Sequence, residues 1–599
     1  MSFYCSFAII YGFFLFNLDF IALCDIIYSQ IVMEVCDMLL KEIINSHDKI
    51  MSSPILGTRL EDLKKRAEAY LDEKIEYAAL SQYLRFYRDG DRAEFQQIYY
   101  AHRKRLSALA AMLFIYRDMR FKEPLEDAIW AICDEFTWVL PAHLPKDSDR
   151  YECYIDLFAA ETGADLAEIK YLLSDVLSDR VKARMTKALR TRVIDAYFNS
   201  PEPYHWEGGN NNWVAVCGGS VGEVILLDGT DEEIKKMIPR MRKTLEGFLN
   251  GFSKDGICME GFSYWNYGFG NFVIFAEALR QYTNGEIDYF KDERVKRISH
   301  FQDAAIIRPG ASIAFSDGSP VTKPTLYLTY LLHNKYADIC IYPEDAYSKF
   351  STHYRFGLFV RCFAWPAYYP GDVCEKKTTA LDIFPDAGWY IKKSDRLILL
   401  AKGGNNAEPH NHNDVGSFYI DNYKNSVVAD FGCAEYTRQY FQDEFRYTYL
   451  VNSSLGHNLP VIDGVGQSAG NRFCAEILKA DEDCFKMEIA PAYDIEKLKS
   501  LVRTLSLDGD TVTLTDEYEL SKNAEICERF VTYIKPEVSG NKVILDDAEL
   551  TADSDNIKVT ESSYNSHETC QPVKVYLIDV VYPNACGSLK TSVTIRAAN

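Results

Sequence analysis

Tyr368-Tyr369-Pro370-Gly371-Asp372 divides two kinds of sequence. On its N-terminal side, apolar residues recur at three-and-four spacing, the period of an amphipathic helix. This holds over Leu60 to Leu84, Ala93 to Ile115, Leu125 to Phe136, Asp165 to Phe198, Glu232 to Asn250 and Tyr267 to Tyr282. The breaks between these runs are polar or carry Gly and Pro, as at Arg88-Asp89-Gly90-Asp91, Pro141 to Pro145, Pro201 to Asn212 and Ser253 to Gly256. Successive helices with short connections predict a layer of antiparallel helical hairpins. On the C-terminal side the segments are short and alternate: Gly388 to Lys392, Leu397 to Ala401, Thr511 to Leu514 and Lys574 to Ile578, with tight turns at Asp508-Gly509-Asp510 and Ser539-Gly540-Asn541. That pattern predicts antiparallel strands packed as a sandwich. The expected organisation is therefore a helical domain over residues 33–370 and a β domain over residues 371–599.

At 599 residues, 47% hydrophobic and 14% aromatic, the chain can bury large cores. Tyr (40) and Phe (34) are abundant. Most fill cores, but a tyrosine ring packs on a sugar C–H face while its hydroxyl bonds a polar edge. A net charge of −22 argues against a general nucleic-acid binder. The 16 cysteines are scattered without a CxxC pair, as expected of reduced thiols in a cytoplasmic protein. Residues 1–32 are apolar in two runs, but no Lys or Arg precedes Lys41 and Asp19 and Asp25 interrupt them. They read as an extension ahead of Met33 and not as a clear signal peptide; the alternative is a degenerate signal on a secreted or periplasmic protein. No uninterrupted 18-residue apolar stretch offers a membrane span. The oligomeric state stays open, a homo-oligomer included.

The β half opens on the densest chemistry. Only 11 histidines occur in the chain, and two stand in Glu408-Pro409-His410-Asn411-His412-Asn413-Asp414. In an extended segment, residues i, i+2 and i+4 share a face, so His410, His412 and Asp414 are expected to project together. Such a cluster suits a metal ion, an anionic substrate, or both. A strand-like run, Ser426 to Gly432, then carries Asp430, and Gly456-His457-Asn458 follows. Two His and one Asp on neighbouring strands suit a three-ligand zinc site with water as fourth ligand. Histidines that only hydrogen-bond and cap a sheet fit the same spacing.

The helical half carries two further clusters. Tyr204-His205-Trp206-Glu207-Gly208-Gly209-Asn210-Asn211-Asn212-Trp213 is either a loop rich in amide donors or an Asn/Gly turn capping a helix. In Asp255 to Gly268, a helix would put Glu260, Tyr264 and Tyr267 on one face, as a core stripe or as phenols presented to a cleft.

Together these blocks resemble the heparinase II/III-like polysaccharide lyases. The resemblance rests on Asn211-Asn212-Trp213, on Asp255-Gly256…Glu260-Gly261-x-x-Tyr264-x-x-Tyr267, and on His410-Asn411-His412-Asn413-Asp414, in that order, and covers most of the chain beyond residue 33. It implies an incomplete (α/α) toroid followed by an antiparallel β-sandwich, with the cleft between them. It implies β-elimination on a uronic acid: loss of the C5 proton, cleavage of the C4–O bond and an unsaturated uronate end. Asn212, or else Asn211, would neutralise the substrate carboxylate with His410, and Tyr267, or else Tyr264, would transfer protons. His412, Asp430 and His457 would hold one structural zinc ion. His205, Trp206, Trp213, Glu260 and Tyr447 would meet substrate, with His143 and Trp138 as further candidates for sugar subsites, although core packing suits Trp138 better. Trp213 stands where alginate-type members carry His, which weakens an alginate assignment. The implied partner is an anionic uronate-containing oligosaccharide or polysaccharide. Two alternatives are a zinc-dependent hydrolase of the same architecture and a non-catalytic carbohydrate-binding relative.

Overall fold

A computed structural model describes residues 39–145, 148–348, 354–373 and 380–598. The extension expected at residues 1–32, and Met33, lie outside them. The N-terminal part is the helical toroid and the C-terminal part is antiparallel β.

Two kinds of helix alternate along the toroid. Ala93–Tyr116, Leu157–Leu172, Asn212–Asp228, Gly270–Tyr282 and Leu326–Lys335 are buried around most of their circumference. Between them Lys122–Asp134, Asp179–Leu189, Asp231–Leu249 and Glu293–Ala305 each bury a single stripe and turn charge to solvent. A helix apolar on all sides belongs inside, and one with a single stripe belongs on the rim. The inner helices approach closely: a Cβ at Gly222 would lie 2.3 Å from the Phe275 ring.

Three helical expectations are corrected. The run Leu60 to Leu84 is not one helix; it stops at Ala69 and resumes only as short turns from Leu80. The carbonyls of Glu73, Lys74 and Glu76 are instead taken by Arg105 and His102 of the neighbouring inner helix. Asp165 to Phe198 is also divided. The inner helix ends at Leu172, and a rim helix starts at Asp179 after Ser178 donates its N–H to Glu126 at 2.7 Å. A small hairpin, Ile306–Arg308 with Ala311–Ser312, interrupts the otherwise helical half.

In the β half, the five-stranded sheet runs in the order Leu381–Phe384, Trp389–Lys393, Ile398–Lys402, Phe418–Asp421, Ser426–Val428. It lies between two partners. Trp389, Ile391, Ile398, Leu400 and Tyr419 join the toroid's core, while Tyr390, Leu399, Ala401, Phe418 and Ile420 join the core of the larger sheet. Ile398–Lys402 is buried at every residue, as a strand covered on both faces requires. The larger sheet is built on Thr511–Thr532 and Pro572–Ala597, paired from Thr511↔Arg596 to Thr532↔Tyr576. Thr511 to Leu514 and Lys574 to Ile578 are thus parts of much longer strands. The run expected from Ser426 to Gly432 pairs only as far as Val428. No helix among the described residues is long and apolar enough to cross a membrane.

Candidate functional site

Three backbones cross where the toroid meets the five-stranded sheet. Gly261 (φ 105°) packs on Gly318, and a Cβ at Gly432 (φ 62°) would lie 2.1 Å from the Gly318 carbonyl oxygen. Both positive-φ positions need glycine. Glu260 and Asp317, the residues just before Gly261 and Gly318, come within electrostatic reach of each other at this crossing, and Asp430 stands two residues before Gly432.

Asp317 is the centre of the site, and the sequence motifs did not include it. It is buried, and its carboxylate accepts from His410 Nδ1 (2.7 Å), His412 Nε2 (3.0 Å), Tyr440 Oη (2.5 Å) and Arg446 Nη2 (3.1 Å). These partners hold its carboxyl well below the usual range despite burial, which acts the other way. The available signal was the Ser316-Asp317-Gly318 turn closing an apolar run, an ordinary loop pattern on its own.

The segment 407–416 is a series of turns, not an extended strand, and His410 has φ 55°. The expectation that His410, His412 and Asp414 share one face is therefore corrected. His410 and His412 reach different oxygens of Asp317, and Asp414 turns to Lys402 at 2.8 Å. A carboxylate only accepts, so His410 carries its proton on Nδ1 and directs Nε2 toward Glu260, 3.8 Å away. Asn212 donates from Nδ2 to the same Glu260 oxygen at 2.7 Å. Burial pushes the Glu260 carboxyl up, opposed by His410 and the Asn212 amide. Asn212, Glu260 and His410 thus form one polar row. Asn211 is the N-cap of the helix Asn212–Asp228, accepting from Trp213 N–H at 3.1 Å, a structural duty.

The two tyrosines diverge. Glu260 precedes the helix Phe262–Tyr264, and Trp265–Phe269 is a wide π turn, so the single face expected for Glu260, Tyr264 and Tyr267 does not form. Tyr264 stacks on His410 with ring centroids 4.3 Å apart and shares a hydrogen bond of 2.8 Å with Tyr436. The Tyr267 ring lies under the Arg355 guanidinium at 4.4 Å, and its hydroxyl has no hydrogen-bond partner among the described residues. Burial pushes both phenols up; for Tyr267, Glu161 adds to this and Arg355 opposes it.

Among the expected substrate contacts, His205 is exposed and Trp213 half-buried, with His143 at 4.8 Å and His205 at 5.1 Å from the Trp213 ring. Tyr447 is half-buried and donates to Asn411 at 2.9 Å. Trp206 and Trp138 are core residues, each 1% exposed, with their indole N–H groups bonded to the carbonyls of Ile155 and Ile132. Neither offers a face to a sugar, which corrects the expectation for Trp206, while Trp138 takes the core-packing role.

Behind Asp317 is a second, fully buried cluster. His412 spends its Nε2 proton on Asp317, and His457 donates from Nε2 to the Val451 carbonyl at 2.9 Å. Neither Nδ1 has a hydrogen-bond partner; the His412 Nδ1 carries a free lone pair, while Asp430 beside the His457 ring pushes the His457 pKa up against the effect of burial. Burial pushes the His412 pKa down, favouring the free lone pair. His412, Asp414 and His457 bring one ligand atom each within 4.8 Å of one another. Asp430 lies beside them, its Oδ2 at 3.6 Å from His457 Nδ1. Unpartnered buried nitrogens facing carboxylate oxygens are the donor set of a divalent cation.

Residues 376–578 match the family model for the heparinase II/III-like C-terminal domain. This stretch, about a third of the chain, is similar to that domain. It carries Asp414, Asp430 and all three histidines of the site. Nothing among curated proteins matches the chain in sequence. Solved structures share the fold of the whole. Heparinase III superposes with a TM-score of 0.59 at 13% identity, covering 92% of each chain. The heparan sulfate lyase HepC from Pedobacter heparinus gives 0.54 at 13%, covering 91% of this chain and 84% of its own. The Streptomyces coelicolor A3 chondroitin AC lyase, solved with chondroitin sulphate, gives 0.57 at 9%, covering 93% and 82%. The chain thus shares with these structures the fold of a helical toroid followed by an antiparallel β part.

Proposed function

We propose that the protein is a polysaccharide lyase that cleaves uronate-containing glycans by β-elimination. The observation that carries this reading is the row Asn212–Glu260–His410 at the junction of the two domains, with Tyr264 stacked on the imidazole. The C5 proton of a uronate is very weakly acidic, so the carboxylate charge must be neutralised as negative charge develops on it. The Asn212 amide supplies one donor, and the His410 imidazole supplies another when Nε2 as well as Nδ1 carries a proton. Glu260, pushed toward its neutral form by burial, adds a third donor when protonated. Asp317 fixes the His410 ring so that Nε2 faces the row.

Tyr267 transfers the proton in this scheme. Arg355 on its ring offsets part of the upward push that burial and Glu161 give its phenol, whereas the Tyr264 hydroxyl is engaged with Tyr436. Zinc fits the lone pairs of His412 and His457 with the neighbouring carboxylates; bound there, it supplies structural order to the loops carrying His410. β-Elimination consumes no water, so the reaction asks for no metal-activated water.

Incubation with heparan sulfate, chondroitin sulfate, hyaluronan and alginate is expected to raise ultraviolet absorbance with at least one, from the conjugated double bond. Cleavage without absorbance overturns the lyase reading in favour of hydrolysis, and binding without turnover overturns it in favour of a lectin. Metal analysis is expected to find one zinc per chain, lost in His412→Ala; undiminished zinc in that variant overturns the zinc assignment. Every cysteine among the described residues is free, which supports a cytoplasmic setting and short imported oligosaccharides as substrates.

A further inference from the structure

The two imidazole lone pairs and Asp430 account for three ligands, and a tetrahedral cation needs a fourth. Asp414 meets every requirement of that position. It is fully buried, and Lys402, itself fully buried, engages its Oδ1 at 2.8 Å. Its Oδ2 is left without a hydrogen-bond partner in the space shared with His412 and His457. Asp430 is arranged in the same way: Gly432 N–H engages its Oδ1 at 3.0 Å, and its Oδ2 is unpartnered. Asp414, His412 and His457 therefore bring one ligand atom each within 4.8 Å of one another in a fully buried space, and Asp430 Oδ2 approaches His457 Nδ1 from beside them at 3.6 Å. A buried carboxylate oxygen left unpaired is costly. A cation placed between these two carboxylate oxygens and the two imidazole nitrogens would satisfy them together.

We propose that Asp414 is the fourth protein ligand of the cation, oriented by Lys402, so that the coordination sphere is closed by the chain and holds no exchangeable water. This rests on the zinc reading above and goes beyond it, because the sequence spacing left water in the fourth position. Lys402 acts as a positioning residue: its ammonium fixes which oxygen of Asp414 turns inward, as outer partners do for metal-bound carboxylates. A closed sphere is the signature of a structural site, whereas a hydrolytic site keeps a position open.

The test is replacement of the metal by Co2+ in the full-length protein, read by visible absorption with and without sodium azide. Four protein ligands predict an intense tetrahedral spectrum that azide does not change. Asp414→Asn is expected to make that spectrum azide-sensitive and to weaken zinc binding by on the order of 100-fold, at the top of the range for loss of an outer-shell partner. Lys402→Met is expected to weaken zinc binding by about 10-fold or more while keeping the azide-insensitive spectrum. An azide-sensitive spectrum in the unaltered protein overturns the closed sphere, and that measurement stands even if a variant fails to fold. An unchanged spectrum in Asp414→Asn overturns the ligand assignment. If the unaltered protein takes up neither Co2+ nor zinc, the metal reading itself falls, an outcome distinct from both.

Discussion

Asp317 joins the two histidines of the pair through its two oxygens, one turned to the row Asn212–Glu260–His410 and one to the buried cluster. Removing its charge is therefore expected to disturb both: Asp317→Asn should lower metal content and kcat together, each by roughly 10–100-fold. Tyr267→Phe is expected to behave differently. It removes one hydroxyl and keeps the ring under Arg355, so kcat should fall by about 10²–10⁴ with KM and metal content little changed. Tyr264→Phe is the control and should cost far less; if it abolishes turnover while Tyr267→Phe does not, the proton passes through the other phenol. The histidines were legible because two in eleven fall one residue apart. Asp317 was not legible, since it lies 93 residues before His410 and an Asp-Gly turn is common. The divergence of Tyr264 and Tyr267 was hidden for another reason: helical spacing assumes 3.6 residues per turn, and the π turn at Trp265–Phe269 breaks it.

Among the elements, the inner helix Leu157–Leu172 shows how far tertiary context overrides pattern. It carries Glu161, Asp165 and Glu168, all buried, which a sequence reading would place in solvent. Arg355 pairs with Glu161 and Arg361 with Glu168. Asp165 accepts from the Gly357 N–H at 2.9 Å and is pushed by burial up to about 8. An acid whose folded pKa is raised stabilises the fold below its unfolded value of about 3.9, and that contribution is lost as pH rises through the folded value. Asp165→Asn keeps the acceptor and removes the titration. Its melting temperature is expected to gain on the unaltered protein between pH 5 and pH 9, which thermal melts across that range will show. A constant difference at all pH values overturns the assignment. Helix content was readable from periodicity, but the breaks at Ala69 and Leu172 depend on partners far along the chain.

At the level of the whole molecule, the fold is three layers with the five-stranded sheet in the middle, and the site sits where that sheet meets the toroid. The two classes of sequence on either side of Tyr368 to Asp372 announced the outer layers. The middle layer was harder to see, because doubly buried strands such as Ile398–Lys402 read as plain apolar runs. The docking depends on the crossing at Gly318. Gly432→Ala places a methyl against the Gly318 carbonyl at a φ of 62° and is expected to cost about 1–3 kcal/mol or more. Activity and metal content should fall together while helical content stays, measured by circular dichroism beside metal analysis.

The long strand Thr511–Thr532 bears on how the protein is made. Val531 accepts from Ala429 and donates to Asn458, so this strand backs the loops that carry Asp430 and His457. Its own other edge is covered by Pro572–Ala597, the last strand of the described chain. During synthesis, His410, His412 and His457 leave the ribosome well before the strand that completes their support. For that interval the nascent chain carries exposed imidazoles and carboxylates without the sheet that holds them in place. On the zinc reading proposed above, metal capture is expected only at the end of translation, and a chain stalled before residue 572 is expected to carry no zinc.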